Sequence, residues 1–132
     1  MKDLHYTLTK TDKGISHLHI LHTKPSSKVK QEIIDFSKPE NYTYDFHGTP
    51  FQQKVWKALM KIKRGQTKTY SDVAQMIGKP TAIRAVASAI AKNNIAILIP
   101  CHRVIRSDGT LGEYRWGKEL KNKLLRSEGS VS

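Results

Sequence analysis

Apolar side chains recur at helical spacing in the middle of the chain, from residue 51 onward. Thr49 precedes this stretch and is a favourable N-cap residue, while Pro50 suits the first helical position. Gly65 follows the last apolar position and supplies a C-terminal stop. The pattern predicts an amphipathic helix that begins at Pro50 and ends at Arg64. Its apolar face comprises Phe51, Val55, Trp56, Leu59, Met60 and Ile62.

Two shorter helices are predicted next, over residues 69–78 and 81–91. Gly78 ends the first, and the chain turns before the second. Two short helices joined by a tight turn are typical of a helix-turn-helix unit. The second helix is rich in alanine and serine, with Arg84 as the long cation at its middle. Such a small-residue face suits either close packing in a core or close approach to a backbone or minor groove.

The remaining patterns indicate short strands and one more helix. Residues 15–21 and 41–46 mix branched or aromatic residues with polar ones, which favours strands, and the apolar run 95–99 predicts a buried strand. Ser27 can cap a helix that continues to Phe36. Its inner side comprises Val29, Ile33, Ile34 and Phe36.

Together these patterns predict an α+β fold. A small, reduced β/α unit occupies residues 1–46, and a mostly helical domain with the helix-turn-helix occupies residues 47–132. A chain of 132 residues is long enough to bury a substantial core. Its apolar runs are much shorter than the roughly 20 residues of a membrane helix. The first residues also carry no signal-peptide core, so we expect a cytoplasmic, nucleoid-associated protein.

Positive charge is concentrated in one part of the chain. The formal net charge is +12, and residues 51–106 hold eleven lysines and arginines against a single acid, Asp72. The flanking segments are close to neutral. A local excess of this kind is typical of a nucleic-acid contact surface, although a solvated basic face has the same composition.

Cys101 is the one cysteine, which excludes an internal disulfide and a multi-cysteine zinc site. It is either a buried structural thiol or a reactive one. The reactive species is the thiolate, and His102, Arg103 and Arg106 make its surroundings positive. A histidine base needs an orienting carboxylate, and spacing does not choose among the candidates. These candidates are Glu113, Glu119 and Glu128.

Three histidines in the first segment raise the question of a metal site. His17 and His19 share one face of a predicted strand, and His22 follows. Metal sites usually add cysteine or carboxylate ligands at suitable spacing, which this segment lacks. We therefore expect ordinary strand or surface histidines and no bound metal.

Several motifs together resemble the O6-alkylguanine-DNA alkyltransferases, also called methylated-DNA–protein-cysteine methyltransferases. The most specific motif is residues 99–104, with the letters IPCHRV, which follow the basic helix-turn-helix. The resemblance extends over residues 47–129. The other matching segments are residues 48–56 (GTPFQQKVW), 69–70 (TY), 84–86 (RAV), Asn93, 112–117 (GEYRWG) and 124–129 (LLRSEG).

The resemblance implies direct-reversal DNA repair in a single turnover. O6-alkylguanine, chiefly O6-methylguanine and also O4-methylthymine, would be flipped out of the duplex and its alkyl group moved irreversibly to Cys101. Glu128 would orient His102, which would deprotonate Cys101 through a water molecule. Tyr70 would press a phosphate and bind the flipped base, and Asn93 would tie the second helix of the helix-turn-helix to the cysteine segment.

The resemblance also implies a set of DNA and pocket contacts. Arg84 would fill the space of the flipped nucleotide in the minor groove. The remaining DNA contacts would be Thr69, Tyr70, Ala82, Ala85, Ser88 and Arg103, and the substrate pocket would comprise Ile90, Val104, Tyr114, Arg115 and Trp116. The family transfers the alkyl group without a dissociable cofactor, so we expect none here. We also expect a monomer.

The chain departs from the family pattern next to the proposed pocket. Asn94 stands where a proline is common, and Arg115 with Trp116 replaces a small Ser-Gly pair. We expect the large Trp116 side chain to narrow the pocket, so that methyl adducts react well and benzyl-type adducts poorly.

Three other classes of protein remain for comparison. A non-catalytic module that recognises alkylated bases shares the scaffold but replaces the nucleophile, whereas Cys101 is present. A plain helix-turn-helix regulator needs several side chains that read base edges, and Arg84 alone is too few for that role. A cysteine hydrolase needs a remote base and an oxyanion-hole glycine motif, and the sequence shows neither.

Overall fold

The computed structural model describes residues 4–22 and 32–130 and confirms an α+β fold. Single-turn 3-10 helices are present at Pro39–Asn41 and Cys101–Arg103. The strands and helices, in chain order, are β1 (His5–Thr11), β2 (Gly14–Leu21), α1 (Pro50–Leu59), β3 (Lys68–Thr69), α2 (Tyr70–Met76), α3 (Ile83–Ala91), β4 (Val104–Ile105) and α4 (Lys118–Ser127).

The first structural unit is an antiparallel hairpin of β1 and β2. The strand predicted at residues 15–21 is confirmed as β2, which buries Ile15, Leu18 and Ile20. Its partner β1 was not predicted, because its side chains are mostly exposed or half-buried and its apolar alternation is weak. Gly14 begins β2 with φ 134°, and a side chain there would collide with the backbone of Thr43.

Helix α1 begins where the sequence predicts and ends earlier. The Thr49 hydroxyl accepts a hydrogen bond from the Gln52 backbone N–H at 3.1 Å, and the Gln52 side chain accepts one from the Thr49 N–H at 3.0 Å. This capping box satisfies two N-terminal backbone donors. The helix ends at Leu59 rather than Arg64, because the chain continues in tighter turns in which the amide of Ile62 bonds the carbonyl of Leu59.

The two helices of the predicted helix-turn-helix are confirmed as α2 and α3, each slightly shorter than its predicted range. A second capping box, between Thr69 and Asp72, begins α2. Gly78 follows α2 with φ 74°, a conformation that favours glycine in the turn between the helices. Helix α3 packs on α1, and the Trp56 indole donates to the Ala89 carbonyl at 2.9 Å.

Residues 95–99 are buried as predicted but do not form the predicted strand. They follow irregular turns, and Ile97 has φ 67°, a left-handed conformation that is uncommon for a β-branched residue. Ile95 forms an isolated bridge to Leu18. Apolar periodicity could not separate a buried strand from a buried turn, since both contain the same side chains.

The helix predicted from Ser27 and the strand predicted at residues 41–46 are not found among the described residues. Residues 23–31, which hold most of the predicted helix from Ser27, lie outside the described residues. Residues 32–36 are not helical, and Ile33 is 90% exposed whereas Ile34 is buried. The strand candidate at residues 41–46 is reduced to an isolated bridge between Tyr44 and Ile15.

One hydrophobic cluster joins β2 to the helices and to the segment before Cys101. The Leu18 amide donates to the Asn94 carbonyl, and the Ala96 amide donates to the Leu18 carbonyl, both at 2.8 Å. Strand β2 thereby supports the irregular segment that leads to Cys101. Within the described part of the chain, no helix has the length and apolar character needed to cross a membrane.

Candidate active site

Cys101 is the first residue of the short 3-10 turn Cys101–Arg103, which follows the buried residues 95–99. Only 3% of the Cys101 surface is exposed. It lies in the wall of a cavity of about 390 Å³ that also contains residues of α3 and of the loop before α4. The nucleophile candidate and the helix-turn-helix therefore share one cavity. The lining residues are Tyr70, Ile83, Arg84, Ala87, Ile90, Ala91, Cys101, Arg106, Glu113, Tyr114 and Arg115.

The side chain of Asn93 holds the irregular segment in shape. Asn93 is fully buried, and its amide nitrogen donates to the Ile95 carbonyl at 3.0 Å and to the Cys101 sulfur at 3.3 Å. Its oxygen accepts from the Ile95 backbone N–H at 2.9 Å. Because these residues lack a strand partner along most of their length, the amide supplies hydrogen bonds that a sheet would otherwise provide.

His102 is fully buried and bonds Glu128, the residue that follows α4. The distance from His102 Nε2 to Glu128 Oε2 is 3.0 Å. Arg103 donates to both oxygens of the same carboxylate at 2.9 Å and to the Ile62 carbonyl at 2.7 Å. His102 Nδ1 is buried and has no hydrogen-bond partner among the described residues. One ring nitrogen is thus fixed by Glu128, and the other is available for proton transfer.

Cys101, His102 and Glu128 differ in their preferred protonation states. Burial raises the pKa of the Cys101 thiol to about 11, although the hydrogen bond from Asn93 opposes the shift. Burial also lowers the pKa of His102, against the opposing effect of Glu128. Burial alone would raise the pKa of Glu128, but the hydrogen bonds from His102 and Arg103 outweigh it and lower the value to about 2. The resting site therefore combines a neutral thiol, a neutral imidazole and a carboxylate.

Two tyrosines face the cavity from opposite elements. Tyr70 begins α2, and Tyr114 belongs to the loop before α4. Burial raises the pKa of both hydroxyls, so each stays protonated and is able to donate a hydrogen bond. The Tyr114 hydroxyl is buried and has no hydrogen-bond partner in the described ranges.

Helix α3 presents the residues that the sequence assigned to DNA. Arg84 is exposed, lines the cavity, and pairs with no carboxylate within residues 4–22 and 32–130. Ala85 and Ser88 are exposed on the same helix, and Ala82 is its N-cap residue. Thr69 is instead committed to capping α2.

The structure places three of the predicted site residues away from the contacts expected for them. Arg103 was expected to bind DNA, but its guanidinium is taken up by Glu128 and by the Ile62 carbonyl. Val104 and Trp116 were expected in the pocket wall, and neither lines the cavity. Val104 is fully buried, and Trp116 turns toward His19, with 5.9 Å between ring centroids. Ile90, Tyr114 and Arg115 do lie in the wall.

Sequence reasoning missed Lys121, which is fully buried beside the site. Its ammonium donates to the Val104 carbonyl at 2.6 Å and to the Glu113 carbonyl at 3.2 Å. Burial lowers the pKa of Lys121 to about 8. A signal was available, since Lys121 lies three and four residues before the buried Leu124 and Leu125 and so shares their helix face.

The fold and the site together define a helix-turn-helix protein whose second helix adjoins a buried, histidine-flanked cysteine. The chain belongs to the 6-O-methylguanine DNA methyltransferase family, because the model of that family's DNA binding domain matches residues 50–130. The family resemblance found in the sequence is confirmed.

Sequence similarity to known proteins extends over both halves of the chain. The bifunctional transcriptional activator/DNA repair enzyme Ada of Escherichia coli is 57% identical over 90 residues, 68% of this chain and 25% of Ada. The chain thus spans about a quarter of that relative. A methylated-DNA–protein-cysteine methyltransferase of Methanosarcina barkeri is 41% identical over 139 residues, 92% of this chain and 88% of the relative.

A solved structure shows the same fold. The crystal structure of Mycobacterium tuberculosis OGT in complex with DNA superposes with a TM-score of 0.78 and 35% identity. The match covers 95% of this chain and 86% of that one. The similarity therefore includes the hairpin as well as the helix-turn-helix.

Proposed function

We propose that this chain repairs O6-alkylguanine, chiefly O6-methylguanine and also O4-methylthymine, in duplex DNA by irreversible transfer of the alkyl group to Cys101. The observation that carries the proposal is the shared cavity, in which Cys101 lies beside Arg84 and the exposed face of α3. A base that leaves the duplex next to α3 would enter the space in front of the sulfur. The names of the relatives, a DNA repair enzyme and a cysteine methyltransferase, support the same conclusion.

DNA binding is the first step of the proposed reaction. Residues 51–106 carry the positive excess, and the small side chains Ala85 and Ser88 permit close approach of α3 to a minor groove. Extrusion of a base costs a few kcal/mol, less for an alkylated base whose pairing is already weak. Arg84 offsets part of this cost by occupying the space of the extruded nucleotide.

The alkyl transfer follows from the protonation states of the site. His102 Nδ1 takes the proton of the Cys101 thiol through a water molecule, while Glu128 stabilises the resulting imidazolium. The thiolate attacks the alkyl carbon, an S–C bond forms, and the C–O6 bond breaks with its electron pair moving to the base. The protonated Tyr70 hydroxyl donates a hydrogen bond to the departing base, and Asn93 holds the sulfur in place.

The product explains a single turnover. The alkyl group remains on Cys101 as a thioether, and restoring the thiol would require breaking a stable C–S bond. Each molecule therefore acts once and needs no dissociable cofactor. We propose that it acts as a cytoplasmic, nucleoid-associated monomer, with a reduced unit at residues 1–46 and the catalytic, DNA-binding domain at residues 47–132.

A titration tests the proposal. A duplex carrying one O6-methylguanine is mixed with increasing protein, and the restored guanine is measured by chromatography of the hydrolysed DNA. We expect one guanine restored for each protein molecule, and none with Cys101→Ser. Lesion-selective binding without restored guanine would indicate a damage-recognition module instead. If the protein shows neither a binding preference for the lesion nor repair, a basic helix-turn-helix protein is the remaining interpretation.

A further inference from the structure

The three positions at which the chain departs from the family pattern, Asn94, Arg115 and Trp116, are joined through Arg115. Arg115 Nη1 donates to the Asn94 side-chain oxygen at 2.8 Å and to the Asn93 carbonyl at 2.6 Å. The guanidinium also lies over the Trp116 ring, 5.4 Å from its centroid. We call the pair Arg115 and Asn94 the latch, because it joins the loop before α4 to the segment before Cys101.

The latch lies close to the nucleophile. Asn93, whose carbonyl accepts from Arg115, uses its side-chain amide to bond the Cys101 sulfur at 3.3 Å. Arg115 also lines the cavity together with Cys101 and Tyr114. Asn93 therefore connects the sulfur to Arg115, and Cys101 and Arg115 border the same cavity.

The position of Arg115 bears on which adducts fit beside the sulfur. For transfer, the reacting carbon of the adduct must touch Cys101 Sγ. A methyl group ends at that carbon, whereas a benzyl group continues beyond it into the cavity, whose wall includes Arg115. The bonds to Asn93 and Asn94 hold the Arg115 side chain in place, and moving it aside breaks hydrogen bonds from a charged donor.

We propose that the latch, rather than Trp116 directly, determines which adducts the site accepts, favouring methyl over groups as large as benzyl. Trp116 contributes by stacking on the guanidinium from outside the cavity. This inference rests on the proposed alkyl transfer. It assigns substrate selectivity to a pair of side chains, and the backbone amide of residue 115 is unchanged by the substitutions that test it.

The test compares two adducts in one duplex sequence. Rate constants for O6-methylguanine and O6-benzylguanine are measured for the unaltered chain, Asn94→Ala, Arg115→Ala and the double variant. Arg126→Ala is the matched control, because Arg126 is exposed on α4 and its loss removes the same single positive charge from the protein. The quantity compared is the benzyl rate divided by the methyl rate of the same variant, which a general loss of stability or DNA affinity does not change.

We expect Arg115→Ala to raise this ratio by about tenfold or more, the factor that corresponds to one hydrogen bond from a charged group. Asn94→Ala removes one of the two bonds and should give a smaller rise. The double variant should match Arg115→Ala, because both changes break the same contact. An unchanged ratio in Arg115→Ala, or a rise equal to that of Arg126→Ala, would overturn the proposal. Absence of methyl transfer by the unaltered chain would instead refute the proposed function.

Discussion

At the residue scale, Cys101 combines a reactive role with a buried position. Because only the thiolate is nucleophilic, a pKa raised to about 11 keeps the DNA-free protein unreactive at neutral pH. In the proposed reaction, this protects a residue that the first transfer would consume. The same burial lowers the pKa of His102, so the imidazole stays neutral and remains able to accept the thiol proton when a substrate arrives.

The raised thiol pKa predicts the pH dependence of chemical labelling. Without DNA, the rate of Cys101 alkylation by iodoacetamide should rise by about tenfold per pH unit, because the thiolate fraction does so below the pKa. It should continue to rise above pH 9.0, the ordinary value for the thiol. The protein unfolded in denaturant is the control and should level off near that value. A plateau below pH 9.0 in the folded protein would contradict the burial argument.

The lowered pKa of Glu128 predicts that the protein loses stability at acid pH. Its pKa falls from an ordinary 4.5 to about 2 in the folded protein. The stabilisation is therefore fully present above pH 4.5 and is lost as the pH falls toward 2. Urea unfolding should show the free energy of unfolding of the unaltered chain falling more over this window than that of Glu128→Gln. Equal losses in the two proteins would show that the carboxylate does not carry the effect.

At the element scale, α3 carries a prediction about base extrusion. Arg84→Ala should slow transfer from a duplex lesion by at least about tenfold, because extrusion costs a few kcal/mol and the arginine offsets part of it. Transfer from a single-stranded oligonucleotide, in which no partner base is left behind, should change much less. Arg126→Ala again controls for charge. Equal slowing on both substrates would mean that Arg84 contacts phosphate rather than the vacated space.

The elements that the sequence predicts well are those with local signals. Thr49 and Thr69 begin α1 and α2 through capping boxes, and each box involves residues only three apart. Residues 95–99 gave a wrong prediction because their shape depends on the Asn93 amide and on strand β2. A pattern of apolar residues reports burial, whereas such hydrogen bonds between distant segments leave no period in the sequence.

At the scale of the whole molecule, contacts between distant segments determine which of the predicted site residues lie together. His102, Arg103 and Glu128 meet only because α4 returns to the cysteine turn. Motif spacing could place the cysteine and its neighbour, but it could not show that Arg103 is occupied by Glu128. Likewise, the size of Trp116 suggested a pocket wall, and its packing against His19 from outside the cavity became visible only in the fold.

The net charge predicts how the whole molecule binds DNA. The logarithm of the affinity for undamaged duplex should fall linearly with the logarithm of salt concentration, with a slope of about −0.9 for each phosphate neutralised. A second duplex of unrelated sequence should give nearly the same affinity, because phosphate contacts carry no sequence information. Fluorescence anisotropy measures both. Salt-independent binding, or strong preference for one sequence, would contradict this account.

Transfer of the alkyl group to Cys101 is tested most directly by mass spectrometry of the intact protein after mixing with a duplex that carries one O6-methylguanine. The account predicts a single gain of about 14 Da, the mass of CH₂, mapped by peptide analysis to Cys101 and absent in Cys101→Ala. A protein of unchanged mass, after incubation with excess lesion, would contradict it.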